Sequence, residues 1–250
     1  MPQHAHIKRR STEHTSWRRT DMPKRFQKME SAPPRRSAFS LLLWPVVLTI
    51  LGFAALPLDL PLARWYHAGN NPEVLRKGVD LIEVFGHGVG IAVILFSVWV
   101  LAPQWRSKMP RTITSVYLAG LTALSLKLVL ARNRPYRTPL DTIGGVAGTF
   151  GHKFPGFSVG AAWQSFPSGH TAAAVGLAMA LTWLMPRGKW LFAGLVALVA
   201  LQRISGGYHY LSDTLWGAAI GCWVASAFLP GGWISKPFDR LEERAMERNS

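Results

Sequence analysis

The chain has 250 residues, 49% of them hydrophobic and only 16% charged, with a formal net charge of +15. Its apolar residues gather in runs of about 20, the length that crosses a hydrocarbon core of roughly 30 Å, which excludes an ordinary soluble domain and indicates a polytopic membrane protein. The single cysteine, Cys222, lies inside an apolar run, so an intramolecular disulfide is impossible and a buried, inert thiol is expected.

Residues 1–37 carry Lys8, Arg9, Arg10, Arg18, Arg19, Lys24, Arg25, Lys28, Arg35 and Arg36 against only Glu13, Asp21 and Glu30. With few large apolar residues, this segment reads as a disordered cytoplasmic tail that lies against anionic lipid. Nucleic acid is not an expected partner, because no folded basic surface or aromatic platform accompanies the charge. A cleavable signal peptide is not expected either: the charged region is too long, and no small-residue cleavage site follows the apolar run.

Apolar stretches follow at 39–60, 81–101, 112–130, 171–185, 190–201 and 211–228. They predict an all-α membrane domain over 38–230, a bundle of six transmembrane helices, with a cytoplasmic C-terminal tail at 231–250. The two short stretches, 171–185 and 190–201, are expected to continue into their polar flanks, with a turn at Pro186-Arg187-Gly188-Lys189 between them. With the N-terminal tail cytoplasmic, the other cytoplasmic segments carry Arg106, Lys108 and Arg111, then Arg187 and Lys189, then Lys236, Arg240, Arg244 and Arg248, as the positive-inside rule requires. Trp44, Trp65, Trp99, Trp105, Trp183, Trp190 and Trp233 lie near predicted span ends, where interfacial anchors belong. No internal repeat points to an inverted-repeat transporter.

Three charged motifs fall on the extracytoplasmic side of this topology. The first pairs Lys127 with Arg134, followed by Pro135. Seven residues are two helical turns, so the two cations share a face if the helix continues past Ala131, while Arg132 faces elsewhere. Arg supplies a planar fork for two phosphate oxygens and Lys a point charge, although a lysine at a membrane boundary can simply snorkel. The second motif, Pro167-Ser168-Gly169-His170, precedes an Ala-rich helical run and so sits at a helix N-terminus, which favours an anion. Ser168 can cap the helix and donate to a phosphate oxygen, Gly169 allows close backbone approach, and His170 can give a proton to a leaving group. An ordinary cap beside an interfacial histidine is the plainer alternative. The third motif sets His209 and Asp213 four residues apart at the start of the last apolar stretch, with Arg203 upstream across Gly206-Gly207. On one helix face the carboxylate can hold one imidazole nitrogen and leave the other as a nucleophile. A metal site is the minor alternative, since no second cluster of His or carboxylates lies on that side.

Taken together, the motifs resemble the type 2 phosphatidic acid phosphatase superfamily, whose pattern is Lys, six residues, Arg-Pro; then Pro-Ser-Gly-His; then Ser-Arg, five residues, His, three residues, Asp. Lys127 to Pro135 and Pro167 to His170 match it in full; Arg203, His209 and Asp213 match the third part, with Gln202 in place of the usual Ser. The resemblance spans roughly residues 112–227. It implies His209 as a nucleophile forming a phosphohistidine, Asp213 orienting it, and His170 protonating the departing alcohol or phosphate. Lys127, Arg134, Arg203, Ser168 and Gly169 would cradle the phosphoryl oxygens, and three cations leave no need for a metal or other cofactor.

The expected activity is metal-independent hydrolysis of a phosphomonoester or diphosphate of a membrane lipid: phosphatidic acid, phosphatidylglycerophosphate, an undecaprenyl phosphate or lipid A. The partners are that lipid and the bilayer. The location is a bacterial plasma (inner) membrane, with both termini cytoplasmic and the site periplasmic. A lipid-to-lipid phosphotransferase and a non-catalytic lipid-phosphate binding or transport protein are the alternatives. The Gly-rich, Phe-bearing segment at 141–164 is either an amphipathic lid that selects the lipid or a passive connection.

Overall fold

Backbone polar groups have no water to pair with inside lipid, so the apolar stretches coil into helices that satisfy their own hydrogen bonds. A computed structural model describes residues 38–70, 73–151 and 160–247, and apart from two isolated β-bridges at Arg132 these contain no strand. The basic segment expected as a disordered cytoplasmic tail, residues 1–37, lies outside them.

Helix α1 (Ala38–Ala54) is followed after one residue by α2 (Leu56–His67), bent by 67°. Pro57 explains the break, since a proline removes an amide donor and crowds the preceding turn. The expected second stretch is interrupted as well. Helix α3 (Glu73–Asp80) tightens into a 3-10 turn, Leu81–Phe85, and only Gly88–Leu101 (α4) is α-helical, after a 60° bend at Gly86-His87. Helices α5 (Met109–Val129), α6 (Gly169–Leu184), α7 (Lys189–Ser205) and α8 (Leu211–Phe228) follow. The residues expected as a C-terminal tail contain a further helix, α9 (Lys236–Glu247).

Among the described residues, length and apolarity mark Pro103–Val129 and Pro186–Ser205 as able to cross a membrane by themselves, and up to four spans if each bent pair counts as one, fewer than the six expected. The shortfall has a physical cause. Helices α6 and α8 are interior: α6 packs on α5, α7 and α8, and α8 also packs on α1. Shielded from lipid, they are built from Ala, Gly, Ser and Thr rather than from long apolar side chains. The long ones point outward, among them Ile50, Phe53, Val93, Phe96, Leu121, Trp190 and Leu191, all exposed on the protein surface. Inside, Ile91, Leu95, Val116, Leu177, Leu181, Phe192 and Val199 form the main core cluster.

At the basic end of the bundle Arg111, fully buried, pins α9. Its Nε donates to Glu242 at 2.7 Å, its guanidinium to Asp239 at 2.5 Å and to the Phe228 carbonyl at 3.1 Å. The opposite end is held by close backbone contact. A Cβ on Gly217 of α8 would lie 2.3 Å from the Ser168 carbonyl oxygen, and one on Gly221 would lie 2.5 Å from that of Ala172. Two glycines one turn apart thus let α8 press against the start of α6, the small-xxx-small device of membrane helices.

Gly217→Ala should therefore cost about 1–3 kcal/mol through overpacking against a backbone that cannot yield. Gly194→Ala on α7, where a Cβ meets nothing within 4 Å, should be neutral or stabilise by up to about 1 kcal/mol. Thermal unfolding in detergent micelles checks both; equal midpoints for the two variants would remove the close-approach argument.

Candidate active site

The first motif reaches the site by a route its spacing did not foretell. Helix α5 ends at Val129, so Lys127 and Arg134 do not lie on one helical stripe. Residues 131–134 run extended, tied to both flanks of the 141–164 segment: the Arg132 amide donates to the Trp163 carbonyl, Asn133 to Thr149, Arg134 to Ala162, and Gly151 to Ala131, all at 2.8–2.9 Å. Lys127 nonetheless feels the charges of Arg134, Arg203 and Asp213. Of the segment read as a lid or a passive connection, residues 152–159 lie outside the described residues, and the flanks are anchored.

Arg132, expected to face elsewhere, is fully buried and is the hub of the site. Its Nε donates to Thr149 Oγ1 at 3.0 Å, one terminal nitrogen to Ser212 Oγ at 2.8 Å and Asp213 Oδ1 at 2.6 Å, and the other to Asp59 Oδ2 at 2.7 Å. The guanidinium lies between the rings of Phe150 and Tyr210, 4.7 and 4.1 Å from their centroids. Burial alone would favour its neutral form, but Asp213 and Asp59 more than offset this and hold it charged. Asp59 from α2 also accepts the Ser212 amide at 2.9 Å, which docks α2 on the start of α8.

His209 does not share a helix face with Asp213. It precedes α8, while Asp213 occupies the third helical position and closes a capping box by accepting the Tyr210 amide at 2.8 Å. Asp213 Oδ2 also accepts from Ser165 Oγ at 2.6 Å. The His209 Nδ1 to Asp213 Oδ2 separation is 3.8 Å, an ion-pair distance rather than a hydrogen bond. In the second motif, Ser168 caps α6 by accepting from the Thr171 amide at 3.4 Å and hydroxyl at 3.0 Å, while its own amide donates to the Asp213 carbonyl at 2.9 Å. That last bond fastens the second motif to the third. Among the described residues beyond its own helix turn and chain neighbours, nothing lies within 4 Å of where a Cβ on Gly169 would sit.

Arg203 is held by the residue that departs from the family pattern. Its Nε donates to the Gln202 side-chain oxygen, the Gln202 amide donates to Asp80 Oδ1 at 2.9 Å, and a terminal nitrogen of Arg203 meets Glu83 Oε1 at 2.9 Å. Gln202 is thus a fastener for Arg203. Glu83 Oε1 also lies 3.3 Å from His170 Nε2. His170 feels Arg203, His209, Lys127 and His87.

The motif residues therefore converge, with Ser168 turned to capping. Arg132, Asp59, Ser165, Asp80 and Glu83 are partners that sequence reasoning did not assign. Asp59 did leave a signal, an ionisable residue inside the apolar run Leu58-Asp59-Leu60. Among the described residues, three buried side-chain nitrogens have no hydrogen-bond partner: Arg134 Nε, His170 Nε2 and His209 Nδ1, one from each motif. Unpaired buried donors are costly, and one from each motif is what a site awaiting an anion would present. Among the described residues no group of three or more His, Cys, Asp or Glu is placed to hold a metal. A cavity of about 210 Å³ lined by Asp59, Tyr66, His67, Tyr136 and Tyr210 adjoins His209, apart from Lys127, Arg134, His170 and Arg203.

Known proteins match this sequence and this fold. The family model described as "PAP2 superfamily" matches residues 111–234. A "Lipid A 1-phosphatase" of Rhizobium etli is 28% identical over 196 residues, 72% of this chain and 79% of the relative. A "Lipid A 1-phosphatase" of Rhizobium johnstonii is 34% identical over 111 residues, 44% of this chain and 42% of the relative. In the solved structure of Aquifex aeolicus LpxE, the similarity has a TM-score of 0.52 at 24% identity, over 67% of this chain and 92% of that one. For the "first transmembrane PAP2 type phosphatidylglycerolphosphate phosphatase from Bacillus subtilis" the TM-score is 0.51 at 19% identity, over 80% and 94%. These two structures share the fold. The chain belongs to the PAP2 superfamily. It is an integral membrane phosphatase.

Arg132→Met should destabilise the protein by about 3–5 kcal/mol, because it strands two buried carboxylates. Chemical unfolding in detergent measures this, and a loss under about 1 kcal/mol would deny the hub its role. A pH effect follows from His209. Burial, reinforced by Lys127, lowers its pKa from 6.5 to about 4 against the opposing pull of Asp213. Between about 6.5 and 4 the unfolded chain takes up a proton that the folded one refuses, so stability falls as the pH falls through that window. The unfolding midpoint of the wild-type protein should drop there more steeply than that of His209→Gln; parallel curves would contradict the assignment.

Proposed function

We propose that this protein removes a phosphate from the headgroup of a membrane lipid, without a metal, through a phosphohistidine on His209. The observation that carries the reading is the convergence of unpartnered nitrogens from Arg134, His170 and His209 beside Lys127 and Arg203. Binding alone needs cations; a buried histidine beside a carboxylate, with a second histidine on the other side, is what covalent transfer needs.

The chemistry runs in two steps. The lipid phosphate enters among Lys127, Arg134 and Arg203, whose charges match the spreading negative charge of a loose transition state. Asp213, fixed by Arg132, Ser165 and the Tyr210 amide, steadies the Nδ1 proton of His209, so Nε2 attacks phosphorus. As the P–O bond to the lipid breaks, His170 gives its proton to the leaving oxygen. His170, now neutral, takes a proton from water, which attacks the phosphohistidine and releases inorganic phosphate.

The site lies at the ends of α5 and α7 that carry Lys127 and Arg203, while Arg111 and Lys189 mark their other ends. With the basic ends cytoplasmic, the site faces the extracytoplasmic side of a six-span bundle, in reach of outer-leaflet lipid headgroups. The names of the Rhizobium relatives make a lipid A type phosphate the first substrate to offer.

Purified protein should release phosphate from such a lipid with excess chelator present, and His209→Ala should lower the rate by at least about 10³-fold. Chelator-sensitive release would overturn the metal-independent mechanism. Label passing to a second lipid with little free phosphate would identify a transferase instead.

A further inference from the structure

Glu83 takes no part in the chemistry above, yet its carboxylate lies on the proton-donating side of the site. It sits in the 3-10 turn Leu81–Phe85 that enters α4, and its Oε1 is 2.9 Å from an Arg203 nitrogen and 3.3 Å from His170 Nε2. The turn is held in place nearby: a Cβ on Gly86 would lie 2.8 Å from the His170 carbonyl oxygen. Asp80, one turn earlier, is engaged by Gln202, so the same short segment supplies two carboxylates to this flank of the site.

We propose that Glu83 is a specificity-determining residue that selects lipid phosphomonoesters over lipid diphosphates, by placing a negative charge where the leaving group departs. The inference rests on the phosphatase reading, with His170 as donor to the leaving oxygen. In a monoester the group that leaves is an alkoxide, which becomes a neutral alcohol when His170 protonates it. In a diphosphate it is a second phosphate, still anionic after it accepts that proton. The balance in each case is one P–O bond broken, one P–N bond formed at His209 and one proton passed from His170. Arg203 shares its charge with the transferred phosphoryl oxygens and His170 gives up its proton, which leaves Glu83 under-compensated beside the departing oxygen. A like charge a few ångströms away in a partly buried site repels strongly, and discrimination of this kind is often achieved by building repulsion against the wrong partner. The Glu83 side chain is 37% exposed, so removing its charge leaves no buried void.

The test uses one lipid tail with two headgroups, farnesyl phosphate and farnesyl diphosphate, in detergent micelles with the full chain. The wild-type protein should favour the monophosphate in kcat/KM, and Glu83→Gln, which keeps the reach and loses the charge, should raise the diphosphate-to-monophosphate ratio by about tenfold or more. An unchanged ratio, an equal loss on both substrates, or a wild-type preference for the diphosphate would overturn the proposal. Calorimetric binding of inorganic phosphate and pyrophosphate to the same two proteins decides the point independently of turnover: Glu83→Gln should gain affinity for pyrophosphate more than for phosphate, and equal gains or none would count against the charge. Absence of phosphate release from both lipids by the wild-type protein would instead sink the phosphatase reading, with the binding ratio still deciding the part played by Glu83.

Discussion

A guanidinium sealed from water has to be met by carboxylates, and meeting that demand organises this end of the bundle. Arg132 draws Asp59 from α2 and Asp213 from α8 onto one cation, with Ser212 and Thr149 filling the remaining donors. Through it the first and last apolar stretches of the membrane domain and the loop after α5 become a single unit. Any shift of α2 would cost a buried charge pair, which is far more expensive than a displaced apolar contact, and a shift of residues 146–149 would cost the Thr149 hydrogen bond. Asp213 is the beneficiary: with both oxygens occupied by Arg132, Ser165 and the Tyr210 amide, it has little freedom left, and His209 is set against a fixed carboxylate.

The second constraint is charge of the opposite kind. Lys127, Arg134 and Arg203 are close enough to repel one another, and the protein offsets only part of that repulsion. Glu83 and, through Gln202, Asp80 hold Arg203, while Arg134 and the two histidines keep nitrogens with no hydrogen-bond partner among the described residues. The fold thus gathers more cations than it supplies counter-ions, at a cost that the phosphate of the proposed function would recover on binding. In the proposed reaction this would be electrostatic preorganisation: donors in place before charge develops require little reorganisation when it does.

Both arrangements depend on backbones lying closer than side chains would permit. Gly217 and Gly221 bring α8 against Ser168 and Ala172, and Gly86 brings the turn before α4 against His170. At these contacts the second motif touches the third and the acidic turn touches the second. In a bundle where lipid offers no hydrophobic force between helices, such contacts and the buried polar bonds carry the association.

The amino-acid sequence by itself determined the class of the molecule and the chemical inventory. Runs of apolar residues are legible because lipid forces them into helices, and the extents of α5, α6 and α8 follow the expected stretches to within a few residues. Lys127, Arg134, His170, Arg203, His209 and Asp213 could be proposed from the sequence because the resemblance rests on their local spacing. Direction in space was not legible wherever a helix stopped early or bent. The end of α5 at Val129 turned Arg132 inward where a continuous helix would have turned it away, and the loop before α8 placed His209 off the face that four-residue spacing suggested. Asp59, Asp80 and Glu83 lie dozens of residues from the side chains they hold, and Gln202 acquired its role from Asp80 across that distance. Only the tertiary structure decided these, because a buried charge is matched by whichever opposite charge packing brings within reach, and sequence separation says nothing about that distance.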